Sequence, residues 1–187
     1  MKKRDDDRTL YIGLDESNHG RYPEIIVAVS SLIRTDASTS KMNKRERMGE
    51  EELIRFLKNE QRFFFYVKAS EWQLTKGEHQ LVEAAPSLVN SLISAKKGYA
   101  NIDSIELLFD GELRLGDSDE LFYRIRRMKY IRRIPRISYE AFPKSRKERY
   151  DYPKILIAAD SLAHLLYSKH SFIDRIGANN RMIELKR

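Results

Sequence analysis

The chain contains no cysteine. That excludes a disulfide framework and any thiolate-bound zinc. Among its four histidines there is no His-Glu-x-x-His pair, and its eight glycines form neither a phosphate-cradling loop nor a Gly-x-Ser-x-Gly elbow. No apolar run approaches the roughly 18 residues of a membrane span. The opening Met1-Lys-Lys-Arg-Asp-Asp-Asp-Arg8 has no apolar signal core behind it, so the expected compartment is the cytoplasm. Proline is scarce too, at five residues. What remains is 41% hydrophobic and 34% charged, the composition of a folded globular chain. At 187 residues the expectation is one domain over 1–187, with a charged tail at 1–8 and an unassigned end at 169–187.

Acidic residues are outnumbered, 28 to 35, for a net charge of +7. The excess is local. Between Arg124 and Arg149 there are eleven basic residues and two acidic ones, Glu140 and Glu148, so the rest of the chain carries −2. A basic segment on a near-neutral body suggests a polyanion partner such as nucleic acid, against the plain alternative of a solvated basic face.

Period and composition place the elements. Thr9 to Asp15 reads as a strand, and Glu24 to Ile33 as a strand buried on both faces. The eight residues between them suit an antiparallel pair. After a polar stretch over 35–41, Asn43-Lys-Arg-Glu46 has capping-box spacing and predicts a helix to about Glu60. Arg62 to Lys68 is an aromatic strand whose Phe63, Phe64, Phe65 and Tyr66 read as core. Thr75-Lys-Gly-Glu78 opens a second helix to about Lys96, which Pro86 should kink or split. Ser104 to Asp110 is a strand. Ser118 is expected to cap a helix to about Ile131, Arg136 to Phe142 is the last strand, and Pro153 suits the first turn of a helix to Tyr167. The order β-β-α-β-α-β-α-β-α predicts an α/β fold with a mixed five-stranded sheet flanked by helices.

Three acidic positions stand out by place. Asp15 and Glu16 end the first strand, Asp110 ends the fourth just before Gly111, and Asp160 interrupts the apolar helical run Ile155-Leu-Ile-Ala-Ala-Asp-Ser-Leu-Ala163. An acid at a strand end often only begins a turn, but a carboxylate in apolar surroundings is costly unless paired. Sites in α/β sheets gather at the carboxyl ends of strands. If the first and fourth strands are parallel neighbours, Asp15 and Asp110 meet there, and a helix crossing that edge adds Asp160. Clustered carboxylates repel, and divalent cations relieve the repulsion. All-oxygen donors suit Mg²⁺ or Mn²⁺, and two such ions about 3.5–4 Å apart cleave phosphodiesters.

These residues also resemble a known family. Ile12-Gly-Leu-Asp-Glu-Ser-Asn-His-Gly20 is similar to the first motif of type 2 ribonuclease H, and Leu107-Leu-Phe-Asp-Gly111 is similar to its second. Met42-Asn-Lys-Arg-Glu46 resembles the stretch opening its first helix, and Tyr152 to Ala163 resembles its late helix. The resemblance implies a ribonuclease H-like fold and metal-dependent hydrolysis of RNA, RNA/DNA hybrid or structured DNA. It implies two Mg²⁺ or Mn²⁺ ions, with Asp15, Glu16 and Asp110 as metal-binding and catalytic acids. The fourth acid is Asp160 or Asp151. Asp160, whose helix also resembles the Ala-Asp-x-Leu-Ala helix of Holliday-junction resolvases, is preferred, because its apolar helical setting is poorly explained without a metal whereas Asp151 sits in a charged loop. Where the family has Gly-Arg-Gly this chain has Asn18-His19-Gly20, which leaves junction-ribonucleotide specificity open.

Asn18, His19 and Gly20, with Arg126, Arg127, Arg132 and Arg133, are the candidate nucleic-acid contacts. Tyr123, Tyr130 and Tyr139 are interleaved with the basic residues. His164, four residues after Asp160, shares its helix face. Gly13 is assigned to packing. A non-catalytic nucleic-acid-binding module on the same fold is the alternative.

Overall fold

The structure is a computed structural model that describes residues 8–17, 23–43, 47–69, 80–95, 99, 102–110, 115–127, 136–142 and 151–185. The strands fall close to where alternation and β-branching place them. β1 (Thr9–Glu16) and β2 (Glu24–Ser31) pair antiparallel, as their short connection requires. β2 is buried along its whole length, because it lies between β1 and β4 (Arg62–Ala69) and is covered on both faces.

Between β2 and β4 the chain departs from the expected polar stretch and helix. It makes a short α1 (Arg34–Ala37), then β3 (Thr39–Asn43), and only then α2 (Glu50–Leu57). Asn43 is therefore a strand residue and caps no helix. Gly49 holds the N-cap position, and Glu50, Glu51 and Glu52 fill the first turn, where negative charge complements the helix dipole. The reason is a distant partner: β3 pairs antiparallel with β7 (Asp151–Pro153), more than a hundred residues on.

The second predicted helix is α3 (Gln80–Ala95), and it carries Pro86 inside it. Proline removes one backbone donor there. Leu81, Val82, Ala84, Ala85, Leu88, Val89 and Leu92 are all buried around it, so tertiary packing holds the helix across that position. Thr75–Glu78 lies outside the described residues. β5 (Ser104–Asp110) follows, then α4 (Leu115–Arg126). α4 starts three residues before Ser118, which is a buried helix residue and not a cap. β6 (Arg136–Phe142) matches its predicted bounds. α5 (Lys154–Ser168) has Pro153 at its N-cap, one position before the first turn.

The unassigned end is ordered structure: α6 (His170–Arg175), a 3-10 turn (Ala178–Arg181) and β8 (Met182–Ile183). Gly177 joins the first two at φ +62°, a left-handed conformation that side chains disfavour. Lys169 and Arg175 donate to the Glu50 carboxylate and fasten this segment to α2.

The main sheet has the order β6-β5-β1-β2-β4-β8. β1–β5, β5–β6 and β4–β8 are parallel, whereas β1–β2 and β2–β4 are antiparallel. α3 and α4 share one core with one face of the sheet, while α2, α5 and α6 share a second core with the other. This is the expected mixed α/β architecture flanked by helices, with six strands in the main sheet among the described residues where five were expected. The sixth is the two-residue β8, too short to carry an alternation signal. Among the described residues, no helix is long and apolar enough to cross a membrane.

Candidate functional site

Register and alternation bring the first two acids together. In the parallel β1–β5 pair the last partners are Leu14 and Phe109, so the next residues, Asp15 and Asp110, stand on adjacent strands about 4.8 Å apart. Leu10, Ile12 and Leu14 of β1 and Ile105, Leu107 and Phe109 of β5 pack in the core shared with α3 and α4. Tyr11 and Leu108 pack in the core shared with α5. Side chains alternate along a strand, so Asp15 and Asp110 face α5. Both are buried, at 4% and 7% exposure. The Asp15 Oδ1 accepts the backbone N–H of Glu16 at 2.8 Å, and the Tyr152 hydroxyl donates to Asp110 Oδ1 at 3.5 Å.

The same alternation turns Glu16 to the opposite face, and Glu16 is not among the residues lining the recess at this edge. Its backbone N–H reaches Asp15.

The third acid comes from α5, which crosses β1 at Gly13. A Cβ on Gly13 would lie 2.8 Å from the carbonyl oxygen of Ile155 and 3.2 Å from the Cα of Leu156. Only glycine lets helix and strand approach this closely. One helical turn farther along, Asp160 shares a face with Leu156 and Ile157. Together with Asp15, Asp110 and Tyr152 they line one small recess at the carboxyl ends of β1 and β5. Asp160 is held there in a bidentate pair with Arg47, with Nε to Oδ2 at 2.8 Å and a second guanidinium nitrogen to Oδ1 at 3.3 Å.

Neither Arg47 nor Tyr152 stood out in the sequence as a site residue. Tyr152 sits two residues before α5 begins, which is the one local hint available. Arg47 lies 113 positions from Asp160, and no spacing rule links them. His164, one turn beyond Asp160, has its pKa lowered by partial burial and the Arg47 charge, against an opposing pull from Asp160. It lines the cleft next to the recess with Arg47 and Lys169.

The donor chemistry of the recess fits hard divalent cations: three carboxylates, all oxygen, two of them buried. The arrangement is not a finished ligand set, for among the described residues no three His, Asp or Glu side chains stand ready to hold one ion. Asp160 faces a guanidinium instead.

Of the candidate nucleic-acid contacts, Arg126 ends α4 and Arg127 follows it, both exposed. Arg127 lies over the Tyr123 ring at 4.9 Å and donates to its hydroxyl at 2.5 Å. Tyr123 is 54% exposed, so the pair presents a flat, charged surface. Asn18, His19, Gly20, Arg132 and Arg133 lie outside the described residues, as does the side chain of Asp151.

No protein-family model and no curated protein sequence matches the chain. Among solved structures, the chain is similar to one from the PCNA:RNase HII complex of Archaeoglobus fulgidus. The identity is 16% and the TM-score 0.47, with 89% of this chain and 76% of that chain covered. Its chemistry therefore has to be read from its own residues.

Proposed function

We propose that this chain is a divalent-metal-dependent nuclease that hydrolyses phosphodiester bonds in RNA, RNA/DNA hybrid or structured DNA. The observation that carries the reading is the convergence of Asp15, Asp110 and Asp160 on one recess at the carboxyl end of the sheet. They come from two strands and a helix, and carboxylates gathered at one recess repel one another, a repulsion that a divalent cation relieves.

Asp15, Asp110 and Asp160 are the residues that would hold Mg²⁺ or Mn²⁺. Bound there, the metal supplies activation of water and stabilisation of the leaving oxygen. Tyr152 orients Asp110 through its hydroxyl. The Glu16 N–H fixes the Asp15 carboxylate. Arg126 and Arg127, with Arg132, Arg133 and the Asn18-His19-Gly20 segment, would grip the phosphate backbone.

One observation favours a second reading, a nucleic-acid-binding module that has kept the fold without the chemistry: the bidentate pairing of Asp160 with Arg47. The two readings separate on incubation of labelled RNA, DNA, hybrid and branched duplexes with and without Mn²⁺. The nuclease cleaves at least one of them only with Mn²⁺, and Asp15→Asn abolishes the cleavage. A protein that binds these substrates and leaves all of them intact is the binding module.

A further inference from the structure

We propose that Arg47 is the built-in competitor of the metal: its guanidinium holds the carboxylate oxygens of Asp160 that a cation needs, and so sets the divalent-cation concentration at which the site assembles. This rests on the reading of Asp15, Asp110 and Asp160 as a cation site.

The geometry carries it. Both Asp160 oxygens are engaged, one by Nε at 2.8 Å and the other by a terminal nitrogen at 3.3 Å. This fork takes one lone pair on each oxygen and leaves each a second. A hard cation approaching the same side of the carboxylate competes with the guanidinium for Asp160.

A plain structural clip, tying the segment before α2 to α5, would explain the contact equally well if nothing else tied them. Something else does. The buried Met48, next in the chain, donates its backbone N–H to Ser161 Oγ at 2.9 Å. Ser161 follows Asp160 on α5, and its hydroxyl donates in turn to the carbonyl of Ile157 at 2.7 Å. The backbone beside Arg47 is anchored independently of the guanidinium, so the side chain leaves Asp160 by rotation alone.

Exposure decides whether it leaves. The Arg47 side chain is 48% exposed and that of Asp160 15%. A half-exposed pair is weak, and a doubly charged ion facing three carboxylates outcompetes a single diffuse charge facing one. The cleft lined by Arg47, His164 and Lys169 opens beside the recess and receives the released side chain.

The test is calorimetric titration of the full chain with Mn²⁺ alone, in wild type, Arg47→Ala, Arg47→Lys, Asp15→Asn, Asp160→Asn and the Arg47→Ala/Asp160→Asn double variant. Thermal unfolding without Mn²⁺ confirms that each is folded. Arg47→Ala is expected to bind Mn²⁺ about 1.5- to fivefold more tightly than wild type, with Arg47→Lys between them. The gain is expected to vanish in the Asp160→Asn background, because Arg47 acts through that carboxylate. A structural clip predicts the opposite sign, since its loss loosens the site. Unchanged or weaker binding by Arg47→Ala, or an equal gain without Asp160, overturns the proposal while leaving the cation site intact. Identical titrations of wild type and Asp15→Asn overturn the cation site itself, and the competitor with it.

Discussion

Asp110 shows how much one oxygen matters at the residue scale. It is buried beside Asp15, with the Tyr152 hydroxyl on its Oδ1. Asp110→Asn keeps the shape and removes one charge. It is expected to abolish Mn²⁺-dependent cleavage and to leave nucleic-acid binding equal or tighter, as measured by cleavage and filter-binding assays on the same substrate. Asp36 is the contrasting acid, for its work is structural. Arg62 grips both its oxygens at 2.7 and 2.9 Å, Ser31 donates to it at 2.6 Å, and the Arg62 guanidinium also stacks on Phe56 at 3.9 Å. Asp36→Ala removes the carboxylate partner of a part-buried guanidinium and leaves the Ser31 hydroxyl without its acceptor, and is expected to cost about 2–4 kcal/mol in urea unfolding. His164 gives a pH signature. Burial, chiefly, and the Arg47 charge lower its pKa below 6.5, so between its folded and unfolded values the unfolded chain binds the extra proton. Its contribution to stability is whole above about pH 6.5 and is lost as pH falls below that. His164→Gln should flatten the fall of the melting temperature between about pH 7 and 5.

At the scale of elements, the site depends on how closely α5 lies against β1. Gly13→Ala would drive a methyl into the Ile155 carbonyl. The expected result is a loss of about 1–3 kcal/mol in stability. It should also weaken Mn²⁺ binding, since α5 carries Asp160 outward as it shifts. An alanine that leaves both unchanged would show that the approach has slack. The α3 helix makes a different point. Pro86 lowers its intrinsic propensity by about 3 kcal/mol relative to alanine, yet the helix continues through it. Burial of the surrounding leucines, valines and alanines outweighs the lost hydrogen bond. Local rules that predict a break are overruled wherever the apolar face is this complete.

For the whole molecule, the +7 charge makes the proposed nucleic-acid affinity a function of salt. Affinity should fall linearly with the logarithm of salt concentration. Arg126→Ala/Arg127→Ala should flatten that slope by about 1–2 if these residues contact phosphates; an unchanged slope would place the contacts elsewhere. The larger lesson concerns what was readable without coordinates. The sequence by itself determined β1, β2, β4, β5, β6 and α5, because alternation, β-branching and a 3.6-residue apolar period are local properties that each segment carries whatever its neighbours do. It also determined that Asp15 and Asp110 end strands and that Asp160 rides an apolar helix. Only the tertiary structure decided that Asn43 belongs to a strand, that Met182–Ile183 extends the sheet, and that Arg47 closes on Asp160. Each of these is settled by a partner far away in the chain, and pairing energy between distant segments leaves no period or spacing in either of them.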